Sequence, residues 1–406
     1  MWEDLIQSES KGKRSATDLL WFPDTHIKMP AYVHSGDVSD GFSFWDAGRT
    51  SSCRYLALSA TENQGILELQ ARRNSPNDST NLDNESLRWI SPYSHKPSSE
   101  ATEIPNYLYD CWTAKLIGNE QASVLGAPTV DTFFWDHLGA GSTTQLALML
   151  WSANMWMQQG KVPEFCILPV RTLFNSESAK LRAARVLLNH LMSVYGLPPT
   201  DLNMPGDGRW SGKMLAVTST RTLSAVDPAN NMVRNTISSV ASLCGGADML
   251  AVQPWNVFEL GYGDKEAELL SENLYHLLID EGRLGDVSDP FSGSYFIEAL
   301  TGEMVKAGWD LFLRLKAESI ASIQAILERE LLPEDRTYFG AGESGPGARQ
   351  VVGETLYADP EQTDPEQTDP KQTGALQPPR VFPPALVFPL VDPFDFEPRI
   401  STEEAA

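Results

Sequence analysis

Residues 227 to 254 constrain this chain more than any other stretch. They read Asp227-Pro-Ala-Asn-Asn-Met-Val-Arg-Asn-Thr-Ile-Ser-Ser-Val-Ala-Ser-Leu-Cys-Gly-Gly-Ala-Asp-Met-Leu-Ala-Val-Gln-Pro254. Val233, Ile237, Val240 and Cys244 recur at helical spacing, so the helix has one apolar face. Gly245 and Gly246 supply the positive-φ turn that stops it. Ala247 to Val252 is a short, nearly continuous apolar run, the pattern of a parallel strand covered on both faces. Helix, stop and buried strand make one α-to-β step of an alternating fold.

The alternation extends on both sides. Thr129 to Trp135 reads as a strand, and Thr143 to Gln158 as a helix with Leu146, Met149, Leu150 and Ala153 inward. Phe165 to Val170 is a strand. Glu177 to Tyr195 is a helix with Asn175 or Ser176 as its N-cap. Met214 to Thr218 is a strand, Lys265 to Glu281 a helix, and Gly302 to Leu331 another. Alternating strands and helices mean a parallel sheet, and (β/α)₈ barrels take about 250 residues. The expected fold class is therefore α/β, a (β/α)₈ TIM-type barrel. Only part of its strand set is clear, and residues 46–127 must furnish the rest, with Tyr55 to Ser59 and Ile66 to Ala71 as candidates.

Three parts are expected. Residues 1–45 form an N-terminal arm: Trp2, Leu5 and Ile6 start a short helix, Lys11-Gly12-Lys13 breaks it, and Leu19 to Tyr32 is extended around Pro23 and Pro30. Residues 46–331 hold the barrel. Residues 332–406 are a linker and irregular Pro-rich tail, with three tandem pentapeptides starting at Asp359, Asp364 and Asp369 and a proline-rich run from Pro378 to Pro398. Such composition cannot build a packed core.

The net charge of −23 argues against nucleic acid or an anionic membrane as partner. Cys53, Cys111, Cys166 and Cys244 are widely spaced without a CxxC, so neither a zinc site nor a disulfide framework is indicated. The polar start Trp2-Glu-Asp-Leu-Ile-Gln resembles no secretory leader, and no run reaches the roughly 20 apolar residues of a membrane span. A cytoplasmic protein is expected. Trp151 and Trp156, with their neighbouring methionines, read as core or subunit contact. Arg182 and Arg185 read as partners in surface ion pairs.

Several stretches together resemble the methylmalonyl-CoA mutase family, in particular its small, non-catalytic (beta) subunit. They are Val130-Asp-Thr-Phe-Phe-Trp-Asp-His-Leu-Gly-Ala-Gly141, Ala179-Lys-Leu-Arg-Ala-Ala-Arg-Val-Leu-Leu188, the 227–254 step, and Asp289-Pro-Phe-Ser-Gly-Ser-Tyr-Phe-Ile-Glu-Ala-Leu-Thr301. The arm adds Trp2, Lys11-Gly12-Lys13, Leu20-Trp21 and Ile27-Lys-Met-Pro-Ala-Tyr32.

The resemblance implies an isomerase complex that converts methylmalonyl-CoA to succinyl-CoA by radical rearrangement, with adenosylcobalamin supplying the radical. It also implies where this chain departs from the catalytic pattern. Catalytic members carry a histidine five residues before the glycine of the strand-end turn, and counting back from Gly139 gives Phe134, which cannot share a proton. His137 is the remaining candidate near that strand end. The shielding-tyrosine segment is not found. The nearest match to a cobalt-ligating D-x-H-x-x-G is Asp24-Thr-His26-Ile-Lys-Met29, in the arm and without the glycine. The expectation is a subunit with no catalytic, metal or cofactor-binding residues of its own. It would form a heterodimer with a homologous large chain that holds adenosylcobalamin, using the N-terminal arm to dock. The alternatives are a catalytic acyl-CoA mutase barrel that borrows cobalamin from a separate protein, and a decayed relic of the family.

Overall fold

The structure, a computed structural model, describes residues 2–13, 15, 20–24, 26–30, 32–33, 53–60, 66–71, 86–90, 128–137, 140–158, 160–196, 210, 212–224, 228–257 and 264–317. The pentapeptide repeats, the proline-rich tail, Cys111 and the helix expected beyond residue 317 lie outside the described residues.

Nine strands and seven α-helices are described. In chain order they are α1 (Trp2–Glu9), β1 (Leu20–Asp24), β2 (Ile27–Pro30), β3 (Arg54–Ala60), β4 (Ile66–Ala71), β5 (Ser86–Ile90), β6 (Thr129–Asp131), α2 (Phe133–His137), α3 (Ser142–Gln158), β7 (Phe165–Val170), α4 (Phe174–Tyr195), β8 (Lys213–Thr218), α5 (Asn230–Cys244), β9 (Met249–Ala251), α6 (Lys265–His276) and α7 (Tyr295–Ala317). A 3₁₀ turn spans Thr220–Thr222, and a π-helical turn, Leu277–Glu281, extends α6.

Seven strands form one sheet in the order β5-β4-β3-β9-β8-β7-β6. Five of them, β3, β9, β8, β7 and β6, are parallel, while β4 and β5 join antiparallel at the β3 edge. The parallel strands run β6, β7, β8, β9 in chain order without reversal, and then β3, the earliest of the five, pairs with β9 through Arg54↔Met249 and Tyr55↔Leu250. Helix α6, which follows β9, covers this seam: Tyr275 stacks on Tyr55 at 5.3 Å and donates its hydroxyl to the Cys53 carbonyl at 2.7 Å.

Strand alternation divides the core. Tyr55, Ala57, Cys166, Leu168, Val170, Met214, Ala216 and Leu250 face the helices. Leu56, Leu58, Ile167, Leu215, Val217, Met249 and Ala251 form a second apolar cluster with Phe133. Burial on both faces is why these strands read as continuous apolar runs. Helix α7 lies across α3 and α4 as an outer layer and leaves both buried for most of their length. Gly308 permits that close crossing, since a Cβ there would stand 3.1 Å from Leu146 Cβ. Trp151 and Trp156 are buried, with Trp156 Nε1 donating to the Thr129 carbonyl at 3.0 Å.

Four local expectations need correcting. First, the strand from Thr129 ends at Asp131 rather than Trp135. The Asp131 carboxylate accepts from Phe133 N at 2.9 Å, a local turn that diverts the chain into α2. Second, α4 begins at Phe174 with Leu173 at its N-cap position and no capping side chain, so neither Asn175 nor Ser176 caps it. Third, only Gly246 (φ 87°) takes the left-handed conformation after α5, while Gly245 stays helical at φ −77°.

The fourth correction concerns the faces of α5. Val233 is 60 % exposed and Ile237 37 %, while Asn231, Asn235, Ser238, Ser239 and Ser242 are buried. The polar face turns inward because its groups find main-chain partners. Asn235 Nδ2 donates to Gln253 O at 2.8 Å, and Asn231 Nδ2 to the carbonyls of Ser224 and Trp255, each at 2.8 Å. The small serines also let α5 approach α4, where Ser178 Oγ donates to Ala241 O at 3.2 Å.

In the arm, Lys11 (φ 52°) and Gly12 (φ 73°) end α1 as expected. Strands β1 and β2 form an antiparallel hairpin. Ile27 and Met29 are buried in the chain's own core, and Trp21 packs on Phe296 of α7 with ring centroids 5.8 Å apart. This part of the arm is therefore integral to the domain.

Candidate functional site

In parallel α/β folds, chemistry concentrates at the C-terminal ends of the strands, where the connecting loops gather. Here that end is set by Asp131, Val170, Thr218 and Ala251. Thr132 Oγ1 anchors the start of α2 by donating to Ile167 O at 3.1 Å, and Ser219 N donates to Val170 O at 2.8 Å. These bonds place Asp136, Arg171, Ser219 and Arg221 side by side.

They form a buried ionic knot. Asp136 Oδ1 accepts from Arg171 Nε at 2.6 Å and from Gln145 Nε2 at 3.1 Å. Asp136 Oδ2 accepts from Ser219 Oγ at 2.6 Å. Arg221 Nη1 donates to the Asp136 carbonyl at 2.6 Å. The Ala140 carbonyl takes bonds from Gln145 Nε2 at 2.8 Å and from Arg171 Nη2. Behind Gln145, Lys180 Nζ donates to Gln145 Oε1 at 2.9 Å, to Pro169 O at 2.6 Å and to Glu177 Oε2 at 2.5 Å. All of these side chains are buried.

Three cations face two carboxylates in this knot, and the electrostatics follow. Burial pushes the Asp136 carboxyl upward, but Arg171, then Arg221, the Ser219 hydroxyl and Lys180 outweigh it and hold it below the ordinary carboxylate range. Burial pulls the Lys180 amine down and Arg171 adds to that, against the upward pull of Glu177 and Asp136; the net direction is down. A buried, mutually bonded set of charges at this depth positions loops. It leaves Asp136 ionised and bonded, unsuited to moving a proton.

Phe134 and His137 both lie within α2, on either side of Asp136 in the chain; their side chains and Gly139 fall outside the described residues. His26 sits at the turn between β1 and β2, away from this sheet end in the order of elements. Asp136, Arg171, Ser219 and Arg221 went unnoticed in the sequence. The available signal was a charged or hydroxyl residue directly after each buried strand, as in Val170-Arg171 and Thr218-Ser219.

Arg182 and Arg185 do make ion pairs, but buried ones. Arg182 pairs with Glu298 at 2.8 Å and with Asp289, which ties α4 to the Asp289–Thr301 stretch; Gly293 N donates to the same Glu298 carboxylate at 3.2 Å. Arg185 pairs with Asp248 at 2.8 Å and donates to Gly246 O at 2.9 Å, and Asp248 also accepts from Met214 N at 2.9 Å. These contacts lie at the N-terminal ends of β8 and β9, opposite the knot.

No described helix is long and apolar enough to cross a membrane. A family model described as methylmalonyl-CoA mutase matches residues 165–381. The chain is 31 % identical over 213 residues to the methylmalonyl-CoA mutase small subunit of Streptomyces virginiae, covering 50 % of this chain and 33 % of that one. It is 28 % identical over 207 residues to a probable small subunit from Mycobacterium bovis, covering 48 % and 32 %. It is 26 % identical over 197 residues to the small subunit of Propionibacterium freudenreichii subsp. shermanii, covering 46 % and 30 %. The chain thus spans about a third of the length of the curated relatives it matches. With more than half of its residues matched by one family model, the chain belongs to the methylmalonyl-CoA mutase family.

Proposed function

We propose that this chain is the small, non-catalytic subunit of an adenosylcobalamin-dependent methylmalonyl-CoA mutase. It pairs in the cytoplasm as a heterodimer with a homologous large chain that converts methylmalonyl-CoA to succinyl-CoA, and it stabilises that chain. Its sheet is read as a degenerate (β/α)₈ barrel. The strand order favours this: a doubly wound sheet reverses at a switch point, whereas β6 to β9 run in one direction and the earliest strand follows the last, as at the seam of a closed barrel.

The observation that carries the reading is the ionic knot. The sheet end where a mutase barrel would receive its substrate is occupied by Asp136, Arg171, Ser219, Arg221, Gln145 and Lys180, all buried and bonded to one another. Phe134, in place of an imidazole, supports it from the sequence. The described residues do not fit a corrin. Among the histidines whose side chains are described, His190 packs on Trp309 at 4.6 Å and His276 pairs with Asp280 at 3.1 Å, both on the helical layer, while His26 is in the arm. In this proposal the partner holds adenosylcobalamin.

The test is co-expression with a large mutase chain. The expected result is co-purification and turnover that depends on the large chain, with no succinyl-CoA from this chain, adenosylcobalamin and methylmalonyl-CoA alone. Turnover without the large chain, even when a separate cobalamin-binding protein is added, would overturn the reading. Docking through the arm is tested by removing residues 1–13, because a deletion reaching residue 32 would also remove Ile27 and Met29 from the core. Loss of co-purification is expected from a chain that remains folded.

A further inference from the structure

The groups around Asp136 are held in place by bonds that do not involve its carboxylate. Gln145 is fixed at both ends, by Ala140 O at 2.8 Å and by Lys180 Nζ at 2.9 Å. Arg171 Nη2 is fixed on Ala140 O. Ser219 is set by its main-chain bond to Val170 O at 2.8 Å, and its Oγ accepts from Arg221 N at 3.2 Å. Donors oriented by other partners form a preorganised cradle, which loses little entropy on taking up an anion. They come from four parts of the fold: α3, the residue after β7, the 3₁₀ turn after β8, and α4 behind them.

Their arrangement is specific. Two donors, Arg171 Nε and Gln145 Nε2, meet one oxygen, and Ser219 Oγ meets the other. That geometry suits a planar two-oxygen anion. We propose that this cradle is a binding site for a small carboxylate, which the chain fills with its own Asp136 side chain. The chain is its own ligand there, and the sheet end is shut by occupancy. Arg171, Arg221 and Lys180 supply the positive field, and removing the carboxyl group leaves room for one planar carboxylate. This inference concerns the single chain and stands apart from its pairing with a large subunit.

The experiment uses full-length Asp136→Ala, which lacks only the carboxylate, with formate as the probe. Thermal unfolding is followed as sodium formate replaces sodium chloride at constant ionic strength. The melting temperature of Asp136→Ala is expected to rise saturably, on the order of 2–4 °C. The wild-type chain and Asp136→Asn, whose cradles are filled, should not respond, and Asp136→Ala/Arg171→Met should lose the effect. A variant indifferent to formate, or a wild type that responds equally, overturns the site. If Asp136→Ala is insoluble, it is refolded in each salt. Soluble protein recovered in formate but not in chloride supports the proposal, and failure in both sinks it.

Discussion

The two ends of the parallel sheet are both locked by buried ions, but they are locked for different ends. At the N-terminal end and in the helix layer, Arg185–Asp248 and Arg182–Glu298–Asp289 join the stretches 179–188, 245–254 and 289–301. All three stretches lie within the residues that the family model matches. In the knot at the C-terminal end, Asp136 and Gln145 precede the matched residues, while Arg171, Glu177, Lys180, Ser219 and Arg221 lie within them. The family match therefore covers both the scaffold pairs, whose arginines and carboxylates fasten helices to strands, and most of the knot. At the end where chemistry would occur, charge is spent on holding loops together.

Breaking the scaffold should have the largest effect. Arg182→Ala strands Glu298, and with it Asp289, beside an uncompensated site, and is expected to cost about 3–5 kcal/mol, read from urea unfolding midpoints. A loss below about 1 kcal/mol would show that these motifs do not carry the fold.

The knot is distinguished by pH. The folded Asp136 pKa lies below its unfolded value, so the native state binds fewer protons. Its contribution is complete above the ordinary Asp value of about 3.9 and is lost as pH falls through the folded value. Asp136→Asn should start less stable at pH 7 and then lose less between pH 5 and pH 3 than the wild-type chain. Parallel curves would contradict the ionised knot.

The smallest effect tests the inverted helix. Val233→Lys should change stability by no more than about 0.5 kcal/mol, whereas Ser239→Val, which inserts bulk between α5 and its neighbours, should cost about 1–3 kcal/mol. Equal losses would return the apolar stripe to the interior.

These contrasts also show what the sequence could reveal. Elements with a single strong period were legible. β7 was read residue for residue, β8 to within one, and α6 with its π-helical turn from Lys265 to Glu281. The apolar spacing on α5 was real, yet Val233 and Ile237 are exposed and only Cys244 of the four is buried, because hydrogen bonds from Asn231 and Asn235 to distant carbonyls turn the polar face inward. The strand after Thr129 was read too long, since one Asp131 side-chain bond diverts the backbone. The knot was invisible because its partners are far apart in the chain: Ser219 and Asp136 are 83 residues apart, and Arg171 and Asp136 are 35. No local pattern encodes such a meeting. Strand β4 was read as an extended candidate, Ile66 to Ala71, but its antiparallel direction was not, and β5 was not read at all.

The hairpin of β1 and β2 has a bearing on how this protein is made. Ile27 and Met29 are synthesised well before the helix that shelters the hairpin, α7, which is the last of the described elements. Strand β3 likewise waits for β9. At roughly 5–20 residues per second of synthesis, the sticky hairpin stays uncovered for on the order of tens of seconds. Until α7 is made, a nascent chain of this protein leaves the apolar side chains of the hairpin without their native cover.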